Sequence, residues 1–267
     1  MPSKVWSGHL TFGLVSMPVE LAAAARRKTV DLDLLHAKDH SRIRQVLYCQ
    51  AEDKPLEKSE IVKGFEYRKG RYVVIEPKEL EAIKPKSAKT IEILEFVNAA
   101  EVDPIYLDTS YYLLPGEGGE KPYALLYIAM HNTQYYALAK ITMHEREYTT
   151  VIRCGPHGFI MHTMYYADEV RESKAFQHEP KIGSQKELTL AKALIESLAD
   201  KFDPSKYENS YRKRLEAAIQ AKAKGKKIVA VPTSAPAKVV DIMEALQKSL
   251  AKRKPARKVV AKKRKAS

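Results

Sequence analysis

Hydrophobic and polar positions alternate with a period of two along most of the first 170 residues, and with a period near 3.6 in the later part of the chain. Residues 5–21, VWSGHLTFGLVSMPVEL, read as two short strands interrupted by Gly8 and Gly13, with Leu10, Phe12 and Leu14 alternating about Thr11. Glycines inside a strand pattern mark a bulge or tight curvature, as at a barrel corner. Arg26, Arg27 and Lys28 lead into Val30, Leu32 and Leu34, a predicted strand with Asp31 and Asp33 on its other face. A turn at Lys38–Ser41 precedes a stretch, 41–76, in which basic and apolar residues alternate: Arg42, Ile43, Arg44, then Val46 and Tyr48, later Arg71, Tyr72 and Val73. A strand sends Arg42 and Arg44 to one side and Ile43 to the other. Lys69-Gly70 predicts a hairpin tip, with Gly70 supplying positive φ. The product is a two-stranded basic ribbon shaped to follow a polyanion. An ordinary solvated strand face has the same spacing, and alternation alone does not choose between them.

Pro77 suits the first turn of a short helix over Lys78–Ile83, ended by Pro85. Thr90–Val97 alternates as a half-buried strand, Asp103-Pro104 opens a turn, and Tyr111–Leu114 is a short strand. Gly116–Lys121, GEGGEK, superficially resembles a phosphate-binding loop. That chemistry needs Gly-Lys followed by Ser or Thr at a helix start, whereas here two glutamates occupy the loop and Pro122 follows the lysine. It is read as a surface loop. Pro122–Met130 is a predicted helix burying Leu125, Leu126 and Ala129. Tyr135–Met143, Tyr148–Cys154 and Phe159–Tyr166 then form an antiparallel meander around the Gly155–Gly158 turn. Many short strands spaced by turns favour a barrel or sandwich over a doubly wound sheet.

After Val170 the pattern becomes helical. Ser184 with Glu187 is a capping box, and Leu188, Ala191, Ile195, Leu198 and Phe202 make one apolar stripe. Asp203-Pro204 stops and restarts the helix, and Tyr207, Tyr211, Leu215 and Ala218 carry the next stripe. A linker over 225–236 leads to a short amphipathic helix with Ile242, Met243, Leu246 and Leu250 on one side. Such a helix, set between a linker and a charged tail with no core of its own, reads as a docking element.

Charge sharpens this picture. The 267 residues carry a net +13, but the ten Lys and Arg of Lys248–Ser267 stand without a single acid, leaving 36 basic against 33 acidic residues elsewhere. The body is nearly balanced and the end of the chain is a cationic arm, which points to an anionic partner. That arm reads either as a mobile electrostatic tether or as a solubilising disordered end. Two cysteines, Cys49 and Cys154, are too few for a disulfide framework or a four-thiolate zinc site. With no apolar run of signal-peptide or membrane-spanning length, a soluble intracellular protein is expected. No catalytic constellation emerges: Cys154 and His157 share a turn without a positioned third group, and His9, His131 and His162 each sit beside apolar residues. A binding function, not a reaction, has to account for the charge pattern, and no cofactor or metal is called for.

Several collinear blocks carry a family resemblance: VWSGHLTFGLVSMPVEL (5–21), SRIRQVLYC (41–49), EIVKGFEYRKGRYVVIEPKEL (60–80), FVNAAEVDPIYLDTSYYLLP (96–115), GGEKPYALL (118–126) and YADEVR (166–171). Together with 187–226 and VVDIMEALQKSL (239–250), they resemble the prokaryotic Ku proteins of non-homologous end joining over some nine-tenths of the chain. One departure concerns cysteine. Some relatives have more of them near position 49, where only Cys49 stands here, so no zinc site is carried over.

The resemblance implies an α+β fold: a Ku-type β-barrel core over 1–180 with an extended strand-and-loop arm at about 26–71. A helical C-terminal region over 184–224, the linker, a short helix over 237–251 that recruits a ligase, and a basic disordered tail over 252–267 follow. It further implies a homodimer whose arms close into a ring around a double-stranded DNA end. The partner enzyme would be an ATP-dependent DNA ligase, ligase D, held through Ile242, Met243, Leu246 and Leu250, with no catalysis by the chain itself and a cytoplasmic, nucleoid-associated location. A compact chain of this length has a radius of gyration of about 18 Å, enough to sit on a duplex but hardly to encircle one, so two copies about a two-fold axis are needed. The residues expected to face phosphates are Arg26, Arg27, Lys28, Lys38, Arg42, Arg44, Lys63, Arg68 and Arg71 on the arm. In the tail they are Lys252, Arg253, Lys254, Arg257, Lys258, Lys262, Lys263, Arg264 and Lys265. Phosphate contacts carry no base information, so binding would be indifferent to sequence and steeply salt-dependent. The competing reading is a general architectural DNA- or RNA-binding protein that coats duplexes without needing ends.

Overall fold

The computed structural model describes residues 3–83, 89–171 and 184–226. The chain divides into two units, Met1–Glu172 and Ser173–Ser267.

In the first unit, Lys4–Phe12 (β1) and Val15–Ala23 (β2) form a hairpin. The reversal at Gly13, with φ +55°, leaves Leu14 fully exposed at the tip. The expected alternation of Leu10, Phe12 and Leu14 therefore stops at Phe12. After a long excursion the chain returns as Thr90–Asn98 (β7), Leu107–Pro115 (β8), Tyr135–Met143 (β9), Arg146–Gly155 (β10) and Gly158–Met164 (β11). These seven strands close into a barrel in the order β1-β2-β8-β11-β10-β9-β7. Closure comes from a parallel pairing of β1 with β7 at His9↔Thr90 through Thr11↔Glu92. All other pairings in the barrel are antiparallel, and β9, β10 and β11 are the expected meander.

Alternate residues of each strand turn inward, as period-two patterning requires. Leu10, Met17, Leu21, Ile91, Leu113, Ala139, Ile141, Ile152, Phe159 and Met161 are buried together. A helix over Glu120–Thr133 (α2) adds Tyr123, Leu126 and Met130 to that core. The expected buried face of this helix is corrected here: Leu126 is inside, whereas Leu125 and Ala129 are exposed. The spacing 123, 126, 130 is the true 3.6-residue stripe, and Leu125 lies off it. Tyr123 bolts the helix to the barrel, its hydroxyl donating to the Leu113 carbonyl (2.7 Å) and accepting from the Phe159 N–H (2.8 Å). Gly116–Gly119 form a tight turn against β2, and the Glu120 and Lys121 of GEGGEK already belong to α2. Gly116 N–H donates to the Pro18 carbonyl, and a Cβ at Gly119 would stand 2.6 Å from that same oxygen.

In the second unit, Gln185–Leu198 (α3) begins with both halves of the Ser184–Glu187 capping box. The expected restart at Asp203-Pro204 is only a 3-10 turn over Pro204–Lys206, capped by Asp203. The helix proper, Ser210–Ala223 (α4), starts later with Asn209 as its cap, so Asn209 holds the role expected of Asp203. Neither helix buries a residue: Ile195, Leu198, Phe202, Tyr207 and Tyr211 are exposed, and the rings of Phe202 and Tyr207 stack at 6.3 Å.

Candidate nucleic-acid interface

The excursion between β2 and β7 is the arm. Leu47–Cys49 (β3) pairs with Lys54–Leu56 (β4), and Lys63–Arg68 (β5) with Arg71–Ile75 (β6), as two separate two-stranded sheets. A short helix over Pro77–Ile83 (α1) follows. Two expectations are corrected. Residues 30–34 form no strand, and 41–46 are not one edge of a continuous ribbon; an isolated bridge, Leu35↔Arg42, is the ladder contact there. A strand needs a neighbour to take its N–H and C=O groups, and in this stretch the chain provides one only at that bridge. The hairpin at Lys69-Gly70 forms as read, with Gly70 at φ +74°.

From residue 24 to residue 83 no described side chain is buried. Leu32, Leu34, Val62, Phe65, Tyr67, Tyr72, Val73 and Val74 all lie open alongside the cations. A single chain gains almost nothing from packing here, because a two-stranded sheet with both faces in solvent is marginal at best.

The nine arm residues expected to contact phosphate are all exposed. Arg26, Arg27 and Lys28 lie on the irregular segment leaving β2, and Lys38 lies in the turn closed by the Leu35↔Arg42 bridge. That turn is built on Asp39, whose carboxylate accepts from the Ser41 N–H and hydroxyl and pairs with His36 Nδ1 at 2.9 Å. The Ser41 backbone and hydroxyl, then His36, hold the Asp39 carboxyl below its ordinary value. Arg42 is engaged by Asp33 at 2.6 Å, with 78% and 65% of the two side chains exposed. Arg26, Arg27, Lys38, Arg44, Lys63, Arg68 and Arg71 have no ion pair with another described residue. Lys63, Arg68 and Arg71 come together on the β5–β6 hairpin, and Arg26, Arg27, Lys28, Lys38, Arg42 and Arg44 do not join them in one sheet. The tail cations Lys252–Lys265 and the docking positions Ile242, Met243, Leu246 and Leu250 lie outside the described residues.

Sequence reading missed the Asp33–Arg42 pair, because it put Asp33 on the face of a strand that does not form. The two residues are nine apart, a spacing no regular element signals. It also left Lys69, at the hairpin tip, out of the candidate set.

The turn shared by Cys154 and His157 holds no activated nucleophile. Burial pushes the Cys154 thiol up, and its Sγ faces the Tyr127 carbonyl at 3.6 Å. His162 is buried on β11 between Ser110 Oγ at its Nδ1 and Arg153 Nε at its Nε2, both at 2.9 Å, a satisfied structural histidine. Among the described residues no cluster of three or more His, Cys, Asp or Glu is placed to hold a metal ion, and no helix is long and apolar enough to cross a membrane.

Comparison with known proteins agrees with the barrel. Residues 11–192 match the family model Ku, described as the Ku70/Ku80 beta-barrel domain. The chain is similar to the non-homologous end joining protein Ku of Koribacter versatilis, with 52% identity over 262 residues, covering 97% of this chain and 89% of that protein. It is 44% identical over 267 residues to the protein of the same name from Solibacter usitatus, covering the whole of both. To that of Bacillus subtilis it is 36% identical over 263 residues, 96% of this chain and 85% of the other. A family model spanning both the seven-stranded barrel and the cation-bearing arm inserted in it, and relatives aligned nearly end to end, place this chain in the Ku family.

Proposed function

We propose that this chain binds the ends of double-stranded DNA without regard to sequence in non-homologous end joining, as a homodimer whose two arms close around the duplex. The observation that carries the reading is the arm: sixty residues, 24–83, without one buried side chain, bearing exposed cations and exposed apolar residues together. The cations suit phosphate oxygens, which position a protein on a duplex without reading bases. The apolar residues suit a second copy of the same chain, since a self-complementary contact about a two-fold axis covers both arms at once. Selectivity for ends follows from topology, because a closed ring is threaded only at a terminus. On this reading the chain performs no reaction itself. The segment with Ile242, Met243, Leu246 and Leu250 recruits an ATP-dependent ligase of the ligase D type, and the cations at 252–265 tether the complex electrostatically.

Competition separates this from a general architectural DNA- or RNA-binding role. With a labelled linear duplex bound, unlabelled linear DNA of equal length displaces it and covalently closed circles barely do. Equal displacement by both, or a protein that stays monomeric on DNA, overturns the ring.

A further inference from the structure

The β5–β6 hairpin departs from a regular ladder in one place. Its partners run Lys63↔Ile75, Gly64↔Val74, Phe65↔Val73 and Glu66↔Tyr72, and then the register shifts so that Arg68, not Tyr67, stands opposite Arg71. Residues directly opposite in an antiparallel pair share a face, and alternate residues along each strand share it too. Lys63, Phe65, Arg71, Val73 and Ile75 therefore lie on one face, and Gly64, Glu66, Tyr72 and Val74 on the other. In a regular ladder Tyr67 would take the place beside Arg71 and Arg68 would turn away. The extra residue moves Arg68 onto the face of Lys63 and Arg71, the kind of re-aiming that bulges perform.

The consequence is a one-sided ribbon. One face holds three cations and no acid, while the single acid of the two strands, Glu66, sits on the other and spends its carboxylate on the Gly70 N–H at 2.7 Å, bracing the turn. Two guanidinium groups directly opposite each other repel and destabilise a hairpin in water. An arrangement that costs stability in the free chain while concentrating charge on one face calls for an anion between the arginines.

We propose that the bulge at Tyr67 gathers Lys63, Arg68 and Arg71 into the phosphate-contacting face of the β5–β6 hairpin. This rests on the DNA-end reading above. From Lys63 to Arg68 the strand spans roughly 15 Å. Phosphates follow one another about every 3.4 Å of helix axis on each strand, so a face of that length lies against several of them. Phe65 and Val73, between the cations, meet the apolar edges of deoxyribose. The opposite face, with Tyr72, Val74 and Glu66, is left for protein.

The test removes one cation of that face in the full-length chain, R68A. Binding to a linear duplex is followed across a salt series beside the wild type. R68A is expected to bind severalfold to tenfold more weakly, with the slope of log affinity against log salt reduced by about one. In the R68A chain, V73R on the same face restores the affinity and V74R on the other does not. An R68A chain that binds like the wild type overturns the proposal. So does equal rescue by V73R and V74R, or by neither, or an R68A change that weakens self-association in place of DNA binding. A wild-type chain that fails to bind linear duplex at all is a different result: it removes the DNA-end reading itself.

Discussion

Gly8 lies so close to Lys89 that a Cβ at Gly8 would stand 2.1 Å from the Lys89 carbonyl oxygen. That oxygen accepts from the neighbouring His9 N–H at 2.8 Å, one step before β1 and β7 pair in parallel and close the barrel. The Trp6 ring, 2.5 Å from the same point, leaves no way round. Gly8→Ala therefore has to push the two backbones apart at the seam. We expect a loss of about 3 kcal/mol in denaturant unfolding, at the upper end of ordinary overpacking. Gly13→Ala makes a contrast: its Cβ meets nothing, and the variant has only the cost of a residue held at positive φ.

Stability should fall with acid in a window set by His162. Burial first, and the Arg153 charge second, push its folded pKa below the ordinary 6.5. With Arg153 Nε donating to Nε2, only the neutral ring fits, its Nδ1–H directed at Ser110 Oγ. The unfolded chain then binds more protons than the folded one as pH drops. The contribution is complete above about pH 6.5 and is lost as pH falls from there toward the depressed folded value. Melting temperatures at pH 7.5 and 5.5 should differ by less in His162→Asn than in the wild type; an equal difference would sink the assignment.

The Arg42–Asp33 pair is a lever on binding and hardly one on folding. Both side chains are mostly exposed, and pairs of that kind contribute about 0–1 kcal/mol. Asp33→Asn releases Arg42 and removes a negative charge from a surface proposed to face phosphate. Affinity for linear duplex should rise two- to fivefold at low salt, with the gain shrinking as salt screens it, while the melting temperature moves by no more than about 1–2 °C.

Truncation separates the tether from the docking segment. Ending the chain after Leu250 removes nine tail cations, and with them part of the affinity and of its salt dependence, while self-association persists. Ending it before Gly225 should additionally abolish stimulation of a ligase D-type enzyme. Undiminished stimulation after the second cut would assign the recruitment of ligase elsewhere in the chain.

The barrel strands were legible because each buries one face, and burying one face writes a period of two into the residues. Leu113 of β8 and Ala137–Met143 of β9 show it directly. The same rule misled in the arm. Val30, Leu32 and Leu34, and Arg42 with Arg44, alternate as well as any barrel strand, yet no sheet stands beside them to use the alternation. In α2 the apolar residues outnumber the buried positions, and only docking on the barrel distinguishes Leu126, which is inside, from Leu125, which is not. Of the candidate site, residue type and exposure could be read in advance. Pairing could not, since Asp33 meets Arg42 through a turn and Arg68 meets Arg71 through a bulge.

The class of fold, the family, the excess of cations and the capping box of α3 were all readable from the order of the residues. These depend on local patterning and on composition, which a chain carries along its length. Which strands meet, the parallel closure of the barrel by β1 and β7, and which cations of the hairpin share a face emerge only in the folded chain. Those depend on register between residues far apart in the chain, and one extra residue in a strand, Tyr67, changes what stands opposite Arg71 without changing any local pattern that precedes it.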